Sequence, residues 1–250
     1  MKLKKLAAAT ALATAFGFAG SAHAVPVALE LALLVDVSGS VDSTEYSLQK
    51  NGYVNAFNDP TIQSAIASLT GGIAVTYIEW SGSSQQSQLV GWTHITDATS
   101  STAFASAITG TSRAFSGSTA PGSAINFATP LFSSNSFEGA RWVIDVSGDG
   151  EQNAGDNTAN ARNAFLAAGG DAINGLAIGG GTTLFNWYVN NIQGGAGSFV
   201  IQAATFADFD RAVADKIGRE IQQVPEPGAL ALLGIGLMGL AAMRRHPKHA

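Results

Sequence analysis

Leu31–Asp42 reads LALLVDVSGSVD. It contains the end of a near-continuous apolar run, Ala28 to Val35, of the kind that marks a strand buried on both faces of a parallel sheet. The run ends on a carboxylate followed by two hydroxyls at two-residue spacing: Asp36, Ser38 and Ser40. Asp42 and Glu45 then have capping-box spacing, which predicts a helix from about Ser43 to Phe57. A strand, an oxygen-bearing loop and a helix in that order open an α/β unit, and open α/β sheets bind ligands beyond the carboxyl ends of their strands.

Working outward, Asn58-Asp59-Pro60 stops this helix and starts a second helical piece that runs through Leu69. Ile73 to Trp80 is a β-branched and aromatic strand. The loop Ser81 to Ser84 leads to a shorter strand near Leu89 to Thr93, and the short connection predicts an antiparallel pair. Helices follow at Thr99 to Ile108 and from the loop Ser116 to Gly122 through about Phe132. Beyond them the pattern predicts a strand at Trp142 to Ser147, a helix at Thr158 to Ala168 and a strand at Ala172 to Ile178. A helical piece at Leu184 to Ile192 and a short strand at Phe199 to Ile201 complete the alternation. Phe206, Phe209, Val213, Ile217 and Ile221 keep helical spacing, so a last amphipathic helix packs on the sheet. This order predicts an open, mostly parallel, Rossmann-like α/β sheet with one antiparallel edge strand and helices on both faces.

The two ends of the chain lie outside that domain. Lys2, Lys4 and Lys5 precede a short apolar run, Leu6 to Phe18, and Ala22-His23-Ala24 has small outer residues. Residues 1–24 therefore read as a secretory signal peptide cut before Val25. Residues 25–223 form one domain, and residues 224–250 a tail in which an apolar helix at 228–243 is expected to span a membrane with the basic Arg244-Arg245 end cytoplasmic. Without Lys2, Lys4, Lys5, Arg244, Arg245 and Lys248, seven of the 13 basic residues remain. Without Glu226, 17 of the 18 acidic ones do, a balance of −10. That surface argues against nucleic acid or anionic lipid as partner and is compatible with cation binding. Cysteine is absent, so stability comes from the core rather than from disulfides.

The loop after the first strand carries Asp36, Ser38 and Ser40, the loop before the middle helix carries Thr119, and the loop after Trp142 to Ser147 carries Asp149. All fall at one end of the predicted sheet. A set of oxygen ligands without His or Cys suits a hard cation such as Mg²⁺. Asp145 is a competing carboxylate, but it lies four residues back along the strand, roughly 13 Å from Asp149. Asp149 is therefore the chosen ligand, and Asp145 is expected to be satisfied by hydrogen bonds within the sheet.

Asp36-Val37-Ser38-Gly39-Ser40 resembles the DxSxS signature of the von Willebrand factor A (VWA) domain, Gly117-Ser118-Thr119 its threonine loop, and WVIDVSGDG its fourth strand. VSGDG departs from the more usual hydrophobic-Thr-Asp-Gly, as in an uncharacterised bacterial branch of exported VWA-like proteins. The resemblance implies a metal-ion-dependent adhesion site (MIDAS) with Asp36, Ser38, Ser40, Thr119 and Asp149 as metal residues. Mg²⁺ is the expected cation, with Mn²⁺ or Ca²⁺ as alternatives, and the partner is a protein that supplies an acidic group to the metal. Val224-Pro225-Glu226-Pro227 with the apolar run and Arg244-Arg245 resembles the PEP-CTERM sorting signal of Gram-negative bacteria. It implies an exosortase as transient partner, removal of the tail near Pro225-Glu226-Pro227, and delivery to the cell surface or the exopolysaccharide matrix.

Other residues read as structural. Glu151, Asn153 and Asp156 are expected in a solvated loop, Glu79 at a rim, and Trp92, Trp187 and Tyr188 in core or rim packing. His94 has no second His or Cys nearby for a transition metal. No GxSxG elbow, HExxH helix or P-loop is present, and Ser38 stands where a haloacid-dehalogenase-type phosphotransferase needs its second aspartate. The expectation is a non-enzymatic adhesion or protein-interaction module, possible exopolysaccharide binding included. A matrix component whose metal only stabilises the fold is the alternative, and a hydrolase ranks below it.

Overall fold

The computed structural model describes residues 24–224. In chain order the elements are β1 (Val25–Val27), β2 (Leu29–Asp36), α1 (Ser43–Asn58), α2 (Pro60–Ser68), β3 (Ile73–Trp80), β4 (Gln86–Ile95), α3 (Ala98–Thr109) and α4 (Pro121–Ser133). Then come β5 (Phe137–Gly139), β6 (Trp142–Gly148), α5 (Thr158–Ala167), β7 (Ala172–Ile178), α6 (Gly181–Asn191), β8 (Gly194–Gly195), β9 (Val200–Ala203) and α7 (Phe209–Gln222).

The central sheet runs β4-β3-β2-β6-β7, with β9 parallel and β8 antiparallel to β7. β3, β2, β6 and β7 are mutually parallel, and β4 is antiparallel to β3. Every residue of β2, β3 and β7 is buried, as mainly apolar strands require when helices cover both faces, with Glu30, Thr76, Glu79 and Asn174 as buried polar exceptions. Alternate residues divide between two cores. Leu31, Leu33, Val35, Val75 and Val143 meet α1, α2, α3 and α7 on one face. Ala32, Leu34, Ile78, Ile144 and Val146 meet α4, α5 and α6 on the other. Each of these Leu, Ile and Val side chains contributes about 1.5–3 kcal/mol by leaving water.

Local chemistry sets the helix ends. Asp42 accepts from the backbone N–H of Thr44 and Glu45 while Glu45 accepts from that of Asp42, the reciprocal box that opens α1. Asp59 both ends α1 and caps α2, whose first residue is Pro60.

Three short strands depart from the sequence reading. β1 pairs with β5 in a small parallel sheet of its own, and the two-residue β8 adds an edge to β7. None is long enough to show a period in sequence. β4 is longer than the expected Leu89 to Thr93, its pairing with β3 carried past a register shift near Tyr77. Among the described residues, no helix is long and apolar enough to cross a membrane. The expected signal peptide, the spanning helix at 228–243, and Pro225, Glu226, Pro227, Arg244 and Arg245 lie outside the described residues.

Candidate metal centre

Parallel pairing of β2 with β6 brings the Asp36 loop beside the segment after Gly148, and the loop before α4 closes over both. Asp36 Oδ1 accepts from the Ser38 N–H at 2.8 Å, which folds the loop back on itself. The hydroxyls of Ser38 and Ser40 are 3.2 Å apart. Thr119 Oγ1 donates to Ser38 Oγ at 3.3 Å, and Ser40 Oγ donates to Asp149 Oδ1 at 2.7 Å. All five expected residues thus gather in one cluster at the carboxyl end of the sheet. Asp36, Ser38 and Thr119 are buried, Asp149 is half-buried and Ser40 exposed. The cluster is floored by protein and open on one side.

Surrounding residues hold this arrangement. Arg113, which the sequence reading passed over, donates from one guanidinium nitrogen to the carbonyls of Val37, Ser38 and Val41 at 3.0, 2.9 and 2.7 Å, and from Nε to Phe115 O. It therefore fixes the backbone on both sides of Ser38 and Ser40. Gln49 donates to the Asp36 carbonyl at 2.7 Å. The Gly39 N–H donates to Gly117 O, and the Gly117 N–H to Ser81 Oγ, so the first and second loops are stitched together. Asn153, expected in a solvated loop, instead accepts from the Thr119 N–H at 2.8 Å, and its own N–H donates back to Thr119 O. Gly148 is a fitted position: a Cβ there would lie 2.7 Å from Asp36 Oδ2 and 2.8 Å from the Tyr188 hydroxyl.

The cluster carries a surplus of acceptors. Asp36 Oδ2 is buried with no hydrogen-bond partner among the described residues. Burial pushes the Asp36 carboxyl up to about 7, and the Asp149 charge adds to the shift. Asp149 is raised too, chiefly by burial, with Glu45 contributing, while its bond from Ser40 opposes the rise. A buried carboxylate oxygen without a donor is expensive, and two carboxylates with three hydroxyls form the hard oxygen set that Mg²⁺-type ions take. The residues fit a divalent cation. Among the described residues there is no group of three or more His, Cys, Asp or Glu suited to a metal.

Two expectations are corrected here. Asp145 is not satisfied within the sheet: its side chain points to the α7 face and contacts Lys216. Glu79 is not at a rim. It is buried and accepts from Tyr46 Oη at 2.9 Å and from the Ala114 N–H at 2.8 Å. Tyr188 belongs to the core, and Trp92 and Trp187 pack at its margin. His94 Nε2 sits 2.8 Å from Gly71 O.

The β4-β3-β2-β6-β7 sheet, the helices on both faces and the loop cluster at its carboxyl end define a VWA-like fold. Solved structures agree. Proximal thread matrix protein 1 from the mussel byssus aligns with a TM-score of 0.58 at 15% identity, over 77% of this chain and 46% of that one. Another structure of that protein has a "zinc occupied MIDAS motif". The pilus adhesin SpaC of Lactobacillus rhamnosus GG aligns with a TM-score of 0.56 at 14% identity, over 77% and 30% of the two chains. The PilB minor pilin of Streptococcus sanguinis aligns with a TM-score of 0.57 at 11% identity, over 80% and 62%. This chain thus spans less than two thirds of the length of each. The chain belongs to the family described as "Protein of unknown function (DUF1194)", which matches residues 26–225. A PEP-CTERM protein-sorting motif matches residues 223–245, the mark of an exported protein directed to the surface or beyond. No curated protein matches the chain.

Proposed function

We propose that the protein is an exported, cation-dependent adhesion module. Asp36, Ser38, Ser40, Thr119 and Asp149 would hold a divalent cation, Mg²⁺ first, with Mn²⁺ or Ca²⁺ as alternatives. When bound, the cation supplies an electrophilic position for a carboxylate from a partner protein. The observation that carries this reading is the gathering of three hydroxyls and Asp149 at the loop of Asp36, whose Oδ2 is buried without a donor among the described residues.

The chain's own residues do the positioning. Arg113 and Gln49 fix the first loop, Asn153 fixes Thr119, and Gly148 leaves room for the Asp36 carboxylate. Preorganisation of this kind lowers the ordering cost of binding. The reading is non-catalytic, in keeping with neighbours described as a matrix protein and a pilus adhesin. The C-terminal signal would bring an exosortase to Pro225-Glu226-Pro227, with the apolar segment at 228–243 as a transient membrane anchor and Arg244-Arg245 on its cytoplasmic side. The destination would be the cell surface or an exopolysaccharide matrix.

The test is retention of labelled protein on extracellular matrix extracted from the producing cells. Retention in Mg²⁺ that is lost on chelation, and lost in Asp36→Ala, supports cation-dependent adhesion. Retention indifferent to both makes the protein a structural matrix component whose cation serves only the fold.

A further inference from the structure

On the face of the sheet turned away from α4, Asp145 in the middle of β6 meets α7. The side chains of Asp145 and Lys216 are 0% exposed, and Lys216 Nζ is in direct contact with Asp145 Oδ1. Glu220, one helical turn on and 1% exposed, places Oε1 3.1 Å from the same nitrogen. Asn174 Nδ2 holds that oxygen from the other side at 2.9 Å. A buried lysine between two buried carboxylates is a costly arrangement unless every remaining lone pair is satisfied. Here they are not. Neither oxygen of Asp145 accepts a hydrogen bond of proper geometry, from Lys216 included, and Glu220 Oε2 has no partner among the described residues. The lysine nitrogen therefore faces the carboxyl group without the alignment of an ordinary ion pair.

We propose that Lys216 and Asp145 become joined by an intramolecular amide bond, with Glu220 as the proton carrier. Glu220 takes a proton from the lysine ammonium, and the freed lone pair of Nζ forms the C–N bond to Asp145 Cγ. Two of the three ammonium protons pass by way of Glu220 to one Asp145 oxygen, whose C–O bond breaks so that it leaves as water. The third stays on the amide nitrogen, and Glu220 ends as it began. One ammonium and one carboxylate give one amide and one water, with no oxidant or other reactant.

Three features favour the step. The fold holds the amine and the acid in contact, which makes the reaction unimolecular and removes most of its entropic barrier. Burial pushes the Asp145 carboxyl up against the opposing Lys216 charge, with Glu220 adding to the rise, a direction that favours the neutral acid an amine attacks. The core around the triad, built from Tyr53, Phe209, Val213 and Ile217, excludes the water that would reverse it. In a chain without cysteine, the bond would tie α7 to a central strand. α7 runs directly into the sorting motif that starts at residue 223, so a pull on the C-terminus would load β6 instead of peeling the last helix away.

The experiment is peptide mapping by mass spectrometry on the folded full-length protein and on Lys216→Arg and Glu220→Gln variants. The expected result is a branched peptide carrying both Asp145 and Lys216, lighter than the two linear peptides together by the mass of one water. It is absent from Lys216→Arg and strongly reduced in Glu220→Gln, which keeps both reacting groups. Two linear peptides at their full masses from folded wild-type protein would overturn the bond. A branched peptide at wild-type yield in Glu220→Gln would overturn the role given to Glu220.

Discussion

Ser40 Oγ donates a 2.7 Å hydrogen bond to Asp149 Oδ1, so the loop after β2 and the loop after β6 meet through their proposed ligands. Ser40 is exposed, and its loss should change metal-free stability by no more than about 0.5 kcal/mol. Its expected effect is on the cation: Ser40→Ala weakens Mg²⁺ binding while the chelated protein melts near the wild-type temperature. Asp149→Asn removes one of two like charges and should melt slightly higher without metal yet respond less to it. Thermal unfolding of the three proteins with and without chelator checks both directions.

Arg113 binds no cation but donates to three carbonyls of the first loop. Arg113→Gln should lower stability by about 1–3 kcal/mol because those buried acceptors lose a charged donor. Cation affinity should fall with it although every proposed ligand remains. Urea unfolding in chelator separates the first effect, and calorimetric titration with Mg²⁺ the second. Unchanged affinity in a destabilised variant would remove Arg113 from the site.

Gly148 gives a steric test. A Cβ at 2.7 Å from Asp36 Oδ2 and 2.9 Å from Asp36 Cβ must displace that side chain, since both contacts lie inside van der Waals distance. Gly148→Ala should cost about 1–3 kcal/mol as an overpacked core position and should abolish the cation response. A variant that melts like wild type and still binds Mg²⁺ contradicts the packing described for Asp36.

Glu30, at the opposite end of β2, provides a pH probe distant from the centre. Its carboxylate accepts from Asn135 at 2.6 Å and from the Gly139 N–H at 2.7 Å, but burial outweighs both bonds and raises it above the ordinary glutamate range. The folded state thus holds this proton more tightly than the unfolded chain does. Its contribution is complete below the unfolded value, 4.5, and is lost as pH rises through the folded one. Stability of wild type relative to Glu30→Gln, measured by urea unfolding in chelator, should therefore decline from pH 4 upward and then level off. A difference independent of pH would contradict the shift.

Much of this fold is legible in the sequence because its signals are local. The apolar run ending at Asp36, the box formed by Asp42 and Glu45, and the Phe209, Val213, Ile217 stripe each specify an element within a few residues. The five clustered side chains were legible because each sits where a loop leaves a strand or enters a helix. Pairings between distant segments were not. Nothing in the spacing around Asp145 announces Lys216, although Lys216 and Glu220 lie on the apolar face of α7, where charged residues are rarely placed without partners. Arg113 carries little local signal either, since three of its four acceptors are backbone carbonyls of another loop. β1, β5 and β8 are too short to show a period.

The central claim is that the five oxygen-bearing residues bind a divalent cation. Its most direct test is thermal unfolding of the full-length protein, first in chelator and then in millimolar Mg²⁺, Mn²⁺ or Ca²⁺, beside Asp36→Ala. Cation at about 100 times its dissociation constant should add about 2.7 kcal/mol, a rise of roughly 5–10 °C for a domain of this size. The account predicts that rise in wild type and none in Asp36→Ala. An unchanged wild-type transition at high concentrations of all three cations would contradict it.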